Sequence, residues 1–431
     1  MKLKTRLVIM NFLQFFIWGT WLLTIGAYWF QTKHWSGTEF GAIFSTMGIA
    51  SLFMPAIAGV IADKWVRAEK LYGVFHLVGA AILFCVPLVD NPTTLFWVML
   101  ASMIFYMPTI ALAITVAYSS MKAEGLDVIK AYPPIRVFGT IGFIVALWIV
   151  SLAGLEKSPA QFYVASAASL ALGVYAFTLP KCHPLGKGDQ QTLAQSLGLD
   201  AFRLFKNTKM ALFFLFSMLL GAALQLTNAY GDTFLHDFAK IDLFKNTVAV
   251  KFPAIIMSIS QISETLFILA IPFFLRKFGI KRVMLFSMFA WVLRFGLFAY
   301  GDPAQRLWMI ILSCIIYGMA FDFFNITGSL FVETQSAPRI RASAQGLFMM
   351  MTNGLGAFLG GRISGIVIDK YFRLSGDPLA VQFNWKGIWI TFALYSLTVA
   401  VLFAILFRHQ HDGRQMGSAK PSESSLKTES V

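Results

Sequence analysis

Long apolar stretches separated by short polar segments run along almost the whole chain. They fall at about 7–30, 38–62, 71–89, 94–119, 132–154, 161–180, 209–234, 252–275, 281–300, 305–332, 342–368 and 386–408. Each is close to or longer than the roughly 20 residues a helix needs to cross a bilayer. The first exceeds the apolar core of a signal peptide, typically about 7–15 residues, so it reads as an uncleaved first span. Starts in the second six stretches follow those in the first six at a near-constant offset, and a polar segment from Lys181 to Lys209 parts the two sets. The pattern predicts an all-α integral membrane protein with twelve transmembrane helices in two six-helix halves. Its expected parts are a first half over 1–180, a central loop over 181–208, a second half over 209–408 and a disordered tail over 409–431.

Composition supports the membrane assignment. Hydrophobic residues make up 57% and charged residues 13% of the chain, against about 25% charged in soluble domains, and the mean hydropathy is +0.68. The net charge of +14 does not mark a nucleic-acid binder, because the basic residues sit in short clusters between apolar stretches. With the N-terminus inside, 23 Lys and Arg face the cytoplasm and 9 face the other side. That bias places both termini in the cytoplasm. Cys85, Cys182 and Cys314 show no CxxC spacing, and no two histidines stand at HExxH spacing, so neither a metal nor a cofactor is expected.

Polar residues inside the stretches carry the functional signal, since ionisable groups are costly in hydrocarbon and are kept where they face a cavity or a partner. Glu264 is the sole charge between Phe252 and Leu275, with Gln261 one turn earlier. Its carboxylate is suited to accept from two hydroxyls of a ribose; a structural salt bridge is the rival reading. Gln225 and Asn228 share a helix face and offer donors and acceptors to a ligand with mixed edges, such as a nucleobase; interhelical hydrogen bonding is their alternative. Tyr317 and Phe321 stand at i, i+4 beside Asp322 and Asn325, where rings stack on a flat base or simply pack. Arg136, behind Pro133-Pro134, is followed at i+4 and i+7 by Thr140 and Phe143. As a fixed charge it needs an acid or a polar ligand, and a pair with Asp322 is one expectation. Gly356, Gly360, Gly361 and Gly365 instead read as a close helix contact.

Two halves of six and the segment Gly59-Val60-Ile61-Ala62-Asp63-Lys64 after the second stretch resemble the major facilitator superfamily. The counterpart, Arg276-Lys277-Phe278-Gly279-Ile280-Lys281-Arg282, has Leu275 where an acid would stand. More specifically, the chain resembles the bacterial nucleoside:proton symporter family. The resemblance rests on Pro133-Pro134-Ile135-Arg136 with Gly139-Thr140-Ile141-Gly142-Phe143, Gln225-Leu226-Thr227-Asn228, Ser258-Ile259-Ser260-Gln261-Ile262-Ser263-Glu264, Tyr317-Gly318, Phe321-Asp322-Phe323-Phe324-Asn325 and Arg341-Ala342-Ser343-Ala344-Gln345-Gly346. It implies a proton-coupled importer of nucleosides in a bacterial inner membrane, working by alternating access as a monomer among lipids. A proton symporter for another hydroxylated solute or a nucleobase is the alternative. The implied substrate residues are Arg136, Thr140, Phe143, Gln225, Asn228, Gln261, Glu264, Tyr317 and Phe321, with Glu264 or Asp322 carrying the proton. A membrane enzyme is disfavoured, because no nucleophile–base pair or metal cluster stands out.

Overall fold

The computed structural model describes residues 2–182, 199–337, 340–374 and 383–408. Most of the expected central loop, the tail from residue 409 and the side chain of Asp63 lie outside the described residues.

The described residues are predominantly helical, and among them one isolated antiparallel bridge, Arg373 to Phe383, lies outside the helices. The helices are α1 (Leu3–Gly19), α2 (Gly37–Lys64), α3 (Ala68–Cys85), α4 (Pro92–Ala123), α5 (Val128–Leu152) and α6 (Ala160–Ala176). They continue with α7 (Thr208–Asp237), α8 (Pro253–Tyr300), α9 (Leu307–Gln335), α10 (Arg341–Met349), α11 (Ala357–Tyr371) and α12 (Trp385–Leu406). These labels count helices rather than crossings. Two apolar stretches share α8, which turns at Gly279, where φ is 76°, a value open to glycine but strained for other residues. One further stretch is divided between α10 and α11 by a π-helical segment, Met350–Gly356. Among the described residues, eight helices are long and apolar enough to cross a membrane, α8 counted once.

Helix starts follow the local chemistry. At α2, Ser36 and Glu39 form a reciprocal capping box. At α4 and α7, the side chains of Asn91 and Asn207 each accept from two backbone N–H groups of the first turn. Interior prolines at 55, 108, 133, 134 and 272 leave the helices continuous, as membrane helices allow when neighbours satisfy the freed carbonyls. Large apolar side chains such as Leu152, Leu266, Leu269 and Phe273 are more than 60% exposed, and hydrocarbon rather than water is the solvent that suits such a surface.

Helices before residue 182 meet those after 199 along seams of small residues. A Cβ on Gly41 would lie 2.2 Å from the Gly361 carbonyl oxygen, and one on Gly48 would lie 2.5 Å from that of Gly354. The other face of the same glycine-rich segment abuts α7, where Gly356 and Gly360 lie against Gly221 and Ala222. The close contact expected of these glycines is therefore present on two sides. Asp369 of α11 accepts from the Gly37 and Thr38 N–H groups at 2.8 and 2.5 Å, capping α2 from across the seam. Trp148 Nε1 donates to Ser258 Oγ at 2.9 Å, tying α5 to α8. Among the described residues, every hydrogen bond, ion pair and aromatic contact between the two sets lies toward this one end. The molecule is closed there.

Candidate functional site

The candidate residues are carried on α5, α7, α8 and α9, and those of α8 and α9 come together. On α8, Gln261 and Glu264 are half-buried, and α9 approaches closely because Gly318 has no side chain. A Cβ there would lie 2.6 Å from the Ser263 carbonyl oxygen and 2.8 Å from the Glu264 nitrogen. Ser263 also donates its hydroxyl to the Ile315 carbonyl of α9. Beside Gly318 on α9, the rings of Tyr317 and Phe321 stack at 6.0 Å with 12° between planes. Tyr317 is within electrostatic reach of both Glu264 and Asp322, and the two acids act on each other. Asp322 is 3% exposed, and its Oδ2 has no hydrogen-bond partner. A buried acceptor left without a partner is costly, which marks the position as one built for a proton or a ligand.

Arg136 reaches this group from α5. Its guanidinium carbon lies 3.9 Å above the Phe15 ring, a contact worth about 2 kcal/mol where water is excluded. Gly139 makes the room, since a Cβ there would fall 2.7 Å from both an Arg136 nitrogen and Phe15. The expected Arg136–Asp322 pair is not formed in this conformation. Arg136 makes no ion pair within 4.0 Å among the described residues, and the acid on which its charge acts is Glu264. The aromatic face of Phe15 takes the guanidinium, so no carboxylate is required at contact.

The remaining candidates are distributed unevenly. Gln225 is buried, and its Oε1 has no hydrogen-bond partner; Asn228 is half-buried on the same face of α7. Thr140 is half-buried. Phe143 is 7% exposed, and its backbone presses on Gly19 of α1. Its ring makes none of the aromatic contacts that join Tyr317 and Phe321.

Beside Phe321 lies a small cavity of about 30 Å³, lined among others by Leu224, Trp291, Phe324, Asn325 and Asn353. Small-molecule pockets run to about 300–1,000 Å³, so in this conformation the cavity has room for water and must widen to take a solute. The aromatic walls and the two amides fit the mixed surface such pockets show. Sequence reasoning did not single out Trp291 or Asn353. Trp291 lies among many other large apolar residues of its stretch, and Asn353 lies in the π-helical segment, whose irregular turn has no hydropathy signature.

Arg294 was also passed over. It is completely buried, and among the described residues it has no carboxylate at ion-pair distance. It donates to the Ser313 carbonyl at 2.5 Å and approaches Thr227 and Ser260 at 3.4–3.5 Å. Its charge also faces the rings of Tyr317 at 4.7 Å and Phe298 at 5.0 Å. Tyr317 therefore lies between a guanidinium and two acids, which fixes its ring for Phe321 to stack on. A second buried network joins Gln14, Tyr72, His76, Tyr106, Thr109 and Ser169 inside the first six stretches. Its members come from four separate stretches, singly or in pairs, so no local motif announces the network.

A multi-pass helical protein that is closed at one end and gathers acids, amides and stacked aromatics between its apolar helices belongs to the class of membrane transporters. The family model "Nucleoside H+ symporter" matches residues 1–412. Xanthosine permease of Escherichia coli is 54% identical over 413 residues, covering 96% of this chain and 97% of that one. Nucleoside permease NupG of the same organism is 50% identical, covering 95% and 97%. A crystal structure of the nucleoside transporter NupG superposes with a TM-score of 0.88, covering 95% of this chain and all of that one. A POT family transporter, only 14% identical, shares the fold at a TM-score of 0.71.

The chain belongs to the nucleoside H+ symporter family, and its fold is that of the major facilitator superfamily. It is a proton-coupled nucleoside transporter, not an enzyme.

Proposed function

We propose that this chain takes up nucleosides by alternating access, with residues 1–180 and 209–408 rocking as two six-helix halves around a site between them. Six crossings fall in each half, and the segment over 181–208 links them. The observation that carries the reading is the convergence of Glu264, Asp322, Tyr317 and Phe321, the last of which lines a small aromatic-walled cavity, with Arg136 reaching in from the other half. Phe321 stacks on the base, with Tyr317 backing it and Phe143 enclosing the far side as α5 moves. The amides of Gln225, Asn228 and Gln261 read polar edges, Glu264 accepts from ribose hydroxyls, and Thr140 adds a hydroxyl. Arg136 balances the charge of Glu264. The proton rides on Glu264 or Asp322, adjacent acids whose mutual repulsion falls when one is protonated.

The excess of Lys and Arg on one side places both termini in the cytoplasm of a bacterial inner membrane. The closed end then faces outward, and the structure is an inward-facing state. Because one chain builds the whole site, a monomer among lipids suffices for transport. The test is uptake of labelled nucleosides, xanthosine included, into cells or proteoliposomes. Uptake is expected to collapse with a protonophore and to fall strongly in Glu264→Gln; uptake indifferent to both refutes the coupling.

A further inference from the structure

The closed end holds a second group of ionisable residues that the transport site does not use. His236 of α7 places Nε2 2.6 Å from Glu156 Oε2 and 3.5 Å from Asp232 Oδ2. All three are buried, and neither carboxylate oxygen of Asp232 has a hydrogen-bond partner. Glu156 comes from the loop between α5 and α6, so the contact with His236 crosses the seam. Glu156 Oε1 also accepts from the Ala254 N–H at the start of α8, at 3.2 Å. Gln161 of α6 donates to the Glu156 carbonyl at 3.1 Å, and Thr32 donates to the Lys157 carbonyl at 2.6 Å, which fixes the loop from its own side.

Other charges face the group from each neighbouring element. Lys157 lies within electrostatic reach of Glu156, Asp232, Asp237 and Lys240. Burial pushes its ammonium below the usual lysine range, and the nearby carboxylates oppose that shift. Asp237 accepts from Trp385 Nε1 at 2.8 Å and pairs with Lys240 at 3.3 Å.

We propose that Glu156, Asp232 and His236 form a proton-binding site on the seam, distinct from Glu264 and Asp322, whose occupancy sets how firmly this end stays closed. With the proton bound, on His236 or on Asp232, the three side chains carry one net negative charge, which the Lys157 ammonium offsets. Without it, two buried carboxylates face each other with one cation nearby, and their repulsion works against closure. Closure is therefore favoured at low pH and weakens as pH rises through the titration of the site. A single proton held only in the closed state changes the open-to-closed ratio by about tenfold per pH unit. When the end opens, the proton leaves to the side from which it came. The site thus biases the conformational equilibrium without adding a transported proton. This inference rests on the alternating-access reading above.

The experiment is a distance measurement between spin labels at Thr93→Cys and Leu243→Cys on the two sides of this end. It uses the full chain in lipid nanodiscs with Cys85→Ser, without nucleoside, from about pH 5.5 to about pH 8.5, the range in which histidine sites titrate. The open population is expected to rise with pH, and Glu156→Gln, Asp232→Asn and His236→Gln are each expected to flatten that response. Glu264→Gln is expected to stop proton-driven uptake while leaving the response intact, which separates failure here from failure of the transport reading. A wild-type ratio that ignores pH overturns the proposal. So does a response that survives in all three seam variants, or one that EDTA abolishes and zinc restores, since the last would make this a metal site.

Discussion

Gly41→Ala tests the seam with a single carbon. The added Cβ would lie 2.2 Å from the Gly361 carbonyl oxygen and 3.0 Å from the Gly365 Cα. Backbone on a packed helix does not yield as a side chain tip does, so α2 and α11 must part by about 1 Å. Overpacking of this kind costs roughly 1–3 kcal/mol. Alanine also favours helix over glycine by about 1 kcal/mol, in either conformation of the transporter. The penalty therefore falls on the closed seam alone and shifts the open-to-closed ratio by about 5–150-fold. The same pair of labels reads the shift, and labelled nucleoside uptake reads its consequence, a fall as the inward-facing state is depleted. Gly296→Ala on α8 is the control, because nothing lies within 4 Å of its Cβ position. If Gly41→Ala leaves both the label distance and uptake at the level of the control, the seam is not a contact that transport must break and remake.

Two further outcomes follow from the site. Phe321→Ala is expected to raise the KM for nucleoside by about tenfold or more, since a base stacked on an aromatic ring is worth roughly 1–3 kcal/mol. An unchanged KM in an uptake assay removes Phe321 from the base contact. Arg294→Met is expected to lower thermal stability in detergent by the equivalent of about 2–4 kcal/mol, because the Ser313 carbonyl loses its charged donor and Tyr317 loses the cation at its face. A melting temperature equal to wild type shows that the buried guanidinium is not what holds α8 to α9.

Much of the architecture was legible along the chain because a bilayer imposes a one-dimensional rule. Every crossing segment must satisfy its own backbone and bury nearly every polar group, so length and hydropathy alone mark the helices. The glycines of 356–365 were legible for a similar reason, since small residues at helical spacing have few uses other than close approach. Glu264 and Asp322 stood out because each is a charge in an apolar stretch. Arg294 is equally conspicuous by that standard, yet its role depends on Ser313 and Tyr317 of the next stretch, and only Phe298, four residues on, is at a spacing its own stretch reveals. The His76 network and the Glu156–Asp232–His236 group were illegible for the same reason. Each draws its members from segments far apart in sequence.

The sequence by itself marked which segments are apolar enough to cross the membrane, the orientation expected from the basic residues, and which polar groups need a cavity or a partner. Those properties follow from the transfer of each segment from water to hydrocarbon, which depends on local composition. Partnership was decided only by the tertiary structure. Arg136 rests on Phe15 and acts on Glu264 rather than pairing with Asp322, and His236 bridges to Glu156 across a closed seam. Coulombic and packing energies depend on separations of a few ångströms between helices, and hydropathy carries no information about distance.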